Sequence, residues 1–580
     1  MKTENKMKKL LIFLITIGLI SCDLDRLPLD AISPETFFNS ENDLLLYTNS
    51  FYNMLPSAED VYNEDADNVI KSSMRAEIQG SRIVPTSGGG WSWSELRNIN
   101  YFLANSNKCP DKAAVARYNG LARFFRAYFY YEKVRRFGDV PWYSTVVEIN
   151  DETMLTKARD PRTMVMDSVL ADLDYAIANL GGTRQITTIT KWTALALKSR
   201  IGLYEGTFRK YHPEFNLPNA EKFLDASIAA SDELIKNSGY NIYMATPETA
   251  YQKLFSADNA IEEEVILARK FSDELQVYHN LNYYTMTASY GKPGLSKELV
   301  NSYLMADGTR FTDKPGYEKM TYSQEVKDRD PRLSQTIRTP GYTRTGQTQT
   351  LVPEFGATVT GYQLIKFVSE PKWDTYNKDI TDMPVFRYAE VLLNDAEARA
   401  EKGTLTQADL DRTILPIRQR VGMPALDLVA ANKNPDPFLD EQYTHVSGEN
   451  SGVILEIRRE RRIELVMENY LRWDDLIRWK EGQLLTRTFE GMYFPGTGSF
   501  DLDEDGKIDL IIYKGTKPTD KGPQLLKLGS EITLANGEQG GNILVNSHIN
   551  KKFDESRDYL YPLPKQELQL NPNLTQNPNW

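Results

Sequence analysis

The sequence predicts a mostly α-helical protein, a scaffold of tetratricopeptide-like helical hairpins with a loop-rich, short-strand remainder packed on it. Three observations carry this. Apolar residues recur at steps of three and four along several long stretches, the period of one helix face. Helix starts in the first third fall at loose intervals of roughly 30 to 40 residues, near the ~34 of a tetratricopeptide array. Residues 240–380, rich in Tyr, Thr, Gly, Pro and Asp, and residues 482–555 lose this period and point to short strands and long loops.

Residues 23–40 read as a short tether, and residues 43–55 as the first helix, with Leu44, Leu45, Tyr47, Thr48, Phe51 and Tyr52 at helical spacing. A polar segment over 56–92 ends in Gly88-Gly89-Gly90-Trp91-Ser92-Trp93, and helix resumes over 94–106. Residues 120–137 are strongly amphipathic, with Leu121, Phe124, Phe125, Tyr128 and Phe129 on one face and a stop at Gly138 and Pro141. Helices over 162–180, 190–204 and 219–236 follow; Ala194, Ala196 and Ser199 are small enough for close helix contact. Helix returns over 385–402, 407–421 and 453–479. No low-complexity linker divides the chain. Residues 22–580 therefore read as a single body, with helical hairpins over about 40–240, a loop-rich part over about 241–380 and helices and loops over about 381–580.

The first 22 residues fit an exported lipoprotein. Lys2, Lys6, Lys8 and Lys9 precede the apolar run LLIFLITIGLI, too short to span a bilayer, which leads into Leu19-Ile20-Ser21-Cys22. Residues 1–21 read as a lipoprotein signal peptide and Cys22 as the lipidated mature terminus, so the membrane is reached through lipid alone. Cys109 then has no partner, which excludes a disulfide-stapled fold. The net charge of −12 argues against nucleic acid as a partner. The four histidines are scattered without metal-like spacing, which weakens any histidine-based catalysis.

Five stretches in this order, GLARFFRAYFYYEKVRRFGDVPW (120–142), TKWTALALKSRIGLYEG (190–206), PVFRYAEVLLNDAEARA (384–400), ILEIRRERRIELVMENYLRWDDLIRW (454–479) and LYPLPKQELQLNPNLTQNPNW (560–580), lie behind the lipobox. Together they resemble the SusD/RagB family of outer-membrane nutrient-binding lipoproteins of Bacteroidetes. The resemblance implies a fold built on four tetratricopeptide-like units, a place on the cell surface and no catalytic activity. It also implies partnership with a SusC-like TonB-dependent transporter, for which the protein acts as lid, and capture of an oligosaccharide or, in the RagB branch, a peptide. A surface glycosidase would need two carboxylates about 5 to 9.5 Å apart, and nothing in the sequence marks such a pair. A lid with no ligand of its own is a further alternative.

Candidate ligand residues follow. Trp91 and Trp93 come after three glycines, a flexible run suited to presenting an aromatic to a sugar face; Trp91 is expected at the ligand and Trp93 in the core. Tyr283, Tyr284 and Tyr290 form a second aromatic cluster, in the loop that the resemblance places at the ligand. Trp373 is a further exposed candidate, and Asp67 and Arg75 offer hydrogen bonds to hydroxyls. The arginine-rich stretch Glu456, Arg458, Arg459, Glu460, Arg461, Arg462, Glu464 reads as structural, its charges pairing along the helix while the long side chains keep their heads in water.

The motif Asp501-Leu502-Asp503-Glu504-Asp505-Gly506-Lys507-Ile508-Asp509 fits a structural Ca²⁺ loop, with Asp501, Asp503, Asp505 and Asp509 as carboxylate ligands and Lys507 offering its carbonyl. Ile512 stands where a complete EF-hand loop carries its bidentate glutamate, so weak binding, or an acidic turn without metal, is expected.

Overall fold

The computed structural model of the protein describes residues 37–580; residues 1–21, read as a signal peptide, and Cys22, read as the lipidation site, lie outside the described residues. The chain is 44% helix and 10% strand, with no barrel or closed sheet among the described residues, as the helical periodicity requires. The helices that frame the molecule are α1 (Glu41–Thr48), α2 (Ala58–Tyr62), α3 (Ser94–Asn105), α4 (Lys112–Phe137), α5 (Arg162–Asn179), α6 (Lys191–Tyr211) and α7 (Ala220–Asn237). Then come α8 (Leu281–Met286), α9 (Tyr388–Lys402), α10 (Gln407–Gln419), α11 (Ser451–Glu464), α12 (Leu471–Arg478) and α13 (Lys565–Leu570).

Local chemistry sets the ends. Asp111 caps α4 by accepting from Ala113 and Ala114 N–H, which starts the helix eight residues before its apolar face becomes periodic at Gly120. Thr406 and Asp409 form a capping box for α10, and Gly403, with φ of 76°, ends α9 in the left-handed conformation that glycine adopts without strain. Helices α4 and α5 pair as one hairpin and α6 and α7 as the next, with α9 laid on α7 and α11 on α9. The α6–α7 approach is close: a Cβ at Gly202 would lie 2.7 Å from the Phe223 carbonyl oxygen. Ser199 Oγ meets Ser231 Oγ at 2.7 Å across the same seam.

Strands are short. β1 (Val69–Ile70) pairs with β3 (Gly294–Leu295), and β2 (Val265–Arg269) with β4 (Met383–Arg387). β5 (Phe489–Phe494) pairs with β9 (Gly541–Val545), and β6 (Gly498–Phe500), β7 (Leu510–Tyr513) and β8 (Gln524–Lys527) form a three-stranded sheet. All two-stranded pairs are antiparallel; β7–β8 is parallel.

Two helix expectations are corrected. Residues 385–387 belong to β4, because they pair with β2 before α9 begins. The helix expected over 453–479 is two helices. Met467, Asn469 and Tyr470 take φ of 60°, 48° and 61°, which no right-handed helix accommodates. One apolar core runs from Phe38 to Leu574 and gathers residues from both helical parts and the strands between them.

The arginine-rich helix α11 also departs from expectation. Its role is structural, but its charged heads are not in water: Arg458, Arg459, Arg461 and Arg462 are each at most 3% exposed. Arg459 keeps a within-helix partner, Glu456 at 2.9 Å, but most partners come from elsewhere in the chain. Arg461 pairs with Asp475 at 2.7 Å, Glu460 with Arg332 at 3.1 Å, and Glu464 with Arg387 at 2.7 Å. A guanidinium taken out of water needs such multiple carboxylate contacts to offset desolvation.

Candidate ligand-binding site

The two aromatic clusters singled out in the sequence fall in separate places. Trp91 and Trp93 sit at the start of α3, where Gly88, Gly89 and Gly90 all have left-handed φ. The glycine run is fixed to α4: Arg136 Nε donates to the Gly89 carbonyl at 2.9 Å and Lys133 Nζ to that of Gly90 at 2.5 Å. Trp91 is turned inward, 7% exposed, its ring 4.9 Å from Phe137 and 5.2 Å from Trp93. Trp93 is half-buried. The expected order of burial is thus reversed, because the glycines bring the backbone against α4 and leave Trp91 no outward path. Both tryptophans line a cavity of about 570 Å³ closed by Tyr143, Met154, Leu155 and Leu570, a mostly apolar lining.

The second cluster builds a continuous terrace. α8 and the loop after it carry Tyr283, Tyr284 and Tyr290, and α2 supplies Tyr62. Ring centroids run Tyr62–Tyr284 at 4.6 Å, Tyr62–Tyr290 at 5.4 Å, Tyr290–Tyr283 at 5.8 Å and Tyr283–Tyr376 at 5.3 Å. Tyr62 and Tyr284 are buried at the base, Tyr283 and Tyr290 are half-buried, and Tyr376 is 58% exposed at the outer end. Beside them lie two adjoining cavities of about 360 and 390 Å³ that share Glu59 and Tyr62. Asn63, Lys71 and Ser73 line the first, and Arg269, His279, Asn280 and Asn377 the second. Lys71 Nζ is held by the Tyr62 carbonyl at 3.0 Å and by Asp65 at 3.3 Å, which positions a donor beside the rings. Burial, reinforced by neighbouring Tyr290, pushes the Tyr62 phenol well above its ordinary value, so its hydroxyl keeps its proton at every working pH. Flat aromatic faces flanked by mixed donors and acceptors suit a ring that carries hydroxyls at its edge and C–H groups on its face.

The remaining candidates are placed otherwise. Asp67 is buried away from solvent, accepting from Arg472 Nε and Nη2, each at 2.6 Å, and from Arg462 Nη2 at 3.0 Å. Burial alone would raise its carboxyl, but Arg472 and Arg462 outweigh it and hold it at about 2. The expectation that Asp67 offers a hydrogen bond to a hydroxyl is corrected: both oxygens are committed to guanidinium groups. Arg75 lies over the Trp473 ring at 4.4 Å, away from the terrace, with Glu77 at 3.4 Å. Trp373, expected to be exposed, is half-buried on the turn Pro371–Trp373 and lines neither terrace cavity; Tyr376, three residues on, is the aromatic of that loop that reaches the terrace. Sequence reasoning missed Tyr62 and Tyr376, which sit in segments without periodicity.

The acidic loop joins β6 to β7. Carboxylate oxygens of Asp501, Asp503 and Asp509 lie within 4.8 Å of one another, a spacing that suits one hard cation. Asp505 is turned to Lys507 Nζ at 2.5 Å, and Asp501 Oδ2 accepts from Gly506 N–H at 2.8 Å. Ile512 is in β7 and faces the core. Partial burial raises the Asp509 carboxyl, and the like charges of Asp503, Asp501 and Asp505 add to the rise.

Comparison with known proteins agrees with this architecture. The model described as "SusD family" matches residues 263–580, and one described as "Starch-binding associating with outer membrane" matches residues 47–193. SusD-like protein P38 of Formosa agariphila is 26% identical over 80% of this chain and 90% of its own length. SusD-like protein P2 of the same organism is 22% identical over 99% of both. Among solved structures, a SusD-like protein of Bacteroides fragilis superposes with a TM-score of 0.69 at 22% identity, covering 96% of this chain and all (100%) of that one. A SusD-like carbohydrate binding protein of the same species gives 0.68 at 21% identity over 93% of this chain and 100% of its own. Among the described residues no helix is long and apolar enough to cross a membrane. The helical hairpins, the small sheets packed on them and a family match over more than half of the sequence lead to one assignment: the chain belongs to the SusD family.

Proposed function

We propose that the protein is a non-catalytic surface lipoprotein, anchored through Cys22, that captures an oligosaccharide and passes it to a SusC-like TonB-dependent transporter, for which it acts as lid. The observation that carries the ligand class is the tyrosine terrace. Five tyrosine rings in mutual contact, from buried Tyr62 to exposed Tyr376, adjoin cavities with both donors and acceptors, and Tyr62, Tyr284 and Tyr290 line them. Family membership supports the carbohydrate class, the surface location and the transporter partner.

The test is a titration of the purified protein against a panel of polysaccharides and a peptide mixture, read by calorimetry. Tyr376→Ala and Tyr283→Ala are each expected to weaken glycan binding about tenfold, as loss of a stacking face does, and to leave the thermal midpoint nearly unchanged. Binding confined to peptides, which rely on backbone pairing rather than flat aromatics, would move the protein to the RagB-like reading.

The same reading takes the 501–509 loop as a structural Ca²⁺ site held by Asp501, Asp503 and Asp509, with the Lys507 carbonyl as a further ligand and Asp505 recruited from Lys507 on binding. Without a bidentate glutamate the affinity should lie near the ~10⁻⁴ to 10⁻³ M of extracellular modules. Calcium at millimolar concentration should raise the thermal midpoint and Asp503→Asn should abolish the rise; an equal rise in the variant would mean that the loop is an acidic turn without metal.

A further inference from the structure

We propose that the groove beside Trp93 is the docking site of the chain's own N-terminal segment, residues 23–36, with Leu27 and Leu29 seated against its apolar walls. The docking stands on the groove and on where the described chain begins. Only its consequence for a membrane anchor rests on the lipoprotein reading above.

The groove, of about 570 Å³, lies between the first turns of α3, the loop over residues 141–156 and α13. Three large apolar side chains on its lining stand in solvent: Ile149 is 89% exposed, Leu570 68% and Leu155 49%. Apolar groups gathered on one concave surface mark a place that another surface covers. The amide of Asn100 at its floor is already used, since Nδ2 donates to the carbonyls of Tyr143 and Thr145 at 2.9 and 3.0 Å. Arg97 donates through Nη1 to the Val147 carbonyl and keeps its charge at the rim. The groove thus offers a sugar far less than the terrace does, and it suits aliphatic side chains.

The start of the described chain selects the occupant. The Phe37 ring lies 6.4 Å from that of Tyr47, and Tyr47 stacks at 6.2 Å on Tyr101 of α3. Tyr101 is one turn beyond Arg97 on the same helix face, and Arg97 lines the groove. The eight chain steps from Leu29 to Phe37 reach about 27 Å when extended, more than two ring contacts and one helical turn require. The segment reads DLDRLPLDAISPET. Pro28 favours an extended backbone at Leu27, and in an extended chain Leu27 and Leu29 share one side. Charge fits the same direction of travel: Asp30, nearer to Phe37, arrives at Arg97, and Arg26, further back, arrives at Glu567 on the α13 wall. Because the segment is joined to the body, its effective concentration at the groove is on the order of millimolar, ahead of a free partner. Docking leaves residues 23–26 as free tether, about 13 Å, against about 46 Å for all fourteen residues. For a body anchored at Cys22 the groove then acts as a latch that holds it close to the membrane, and release lengthens its reach.

Cross-linking of the full mature chain with a short bismaleimide tests the proposal. Cys109 is 1% exposed and does not compete. Leu29→Cys combined with Leu570→Cys should link within one chain about tenfold faster than Leu29→Cys combined with Val429→Cys, a residue 74% exposed but outside the groove lining. Leu27→Asp together with Leu29→Asp, both outside the described body, should raise deuterium exchange of residues 147–156 about fivefold. Three results would each overturn the proposal: equal linking rates for the two cysteine pairs, a link formed between two chains, which would give the groove to a second copy, or exchange unchanged in the Asp variant. Neither readout uses a glycan, and the Asp variant should bind polysaccharide at the terrace like the parent chain, so failure of the capture reading is seen separately. The mass of the N-terminal peptide reports lipid on Cys22 independently, so loss of the anchor reading would leave the docking result standing.

Discussion

The arginine core around α11 and the tyrosine terrace invert the usual division of labour. In the core, residues that normally face water are buried: Asp67, Arg462 and Arg472 form one contact, Glu464, Arg387 and Arg420 another. On the terrace, rings that normally fill cores come to the surface, from half-buried Tyr283 to exposed Tyr376. Burial decides what each can do. A guanidinium sealed in the interior fixes how distant segments meet but cannot reach a ligand, whereas a tyrosine at the surface gives up packing and gains an accessible face. Mutating the core should therefore change stability, and mutating the terrace should change binding alone.

The largest effect should come from Asp67→Ala. It leaves Arg462 and Arg472 buried with uncompensated charge, and a stability loss of about 3–5 kcal/mol is expected by chemical denaturation. A loss under about 1 kcal/mol would place the pair with ordinary surface contacts and remove the contrast. The pH profile has a defined sign. Because the folded carboxyl sits at about 2, below its ordinary value, its contribution is complete above the ordinary carboxylate range and fades as pH falls through about 2.

The same contrast explains what could be read from the sequence. Helix α4 was legible because Phe124, Phe125, Tyr128 and Phe129 announce an apolar face locally, and Ser199 marked the tight α6–α7 seam. The partner of Arg462 was not legible, since Asp67 lies 395 residues away and nothing local distinguishes a buried ion pair from a solvated one. Trp91 was misread because three glycines look like flexibility, while their left-handed backbone serves a close approach to α4. On the terrace, Tyr283, Tyr284 and Tyr290 were found through their clustering and the family resemblance; Tyr62 and Tyr376 join them only through tertiary folding.

A smaller effect sharpens the comparison within one turn of chain. Glu64 is as buried as Asp67, but burial dominates there and Lys366 compensates only in part, so its carboxyl is pushed up to about 8. A raised folded value means that Glu64 stabilises fully below its ordinary pKa and that this contribution is lost as pH rises through about 8. Stability should thus fall by about 3 to 4 kcal/mol between pH 5 and pH 8 from this group, and Glu64→Gln, which mimics the protonated form, should flatten that slope. An unchanged slope in the variant would mean that Glu64 is ionised in the fold.

The smallest effect is expected where the same contact is exposed. Lys222 Nζ and Asp167 meet at 2.7 Å, about the distance between Arg472 and Asp67, but their side chains are 49% and 54% exposed. Water already solvates both charges, so forming the pair removes little solvation and gains little. A double-mutant cycle on Lys222→Ala and Asp167→Ala should give a coupling of at most about 0.5 kcal/mol, shrinking further as salt is raised. The Asp67–Arg472 cycle should not respond to salt, because counter-ions do not reach it. A coupling at Lys222 as large as that at Arg472 would show that distance, not burial, sets the strength of ion pairs in this fold, and the division between core and terrace would lose its physical basis.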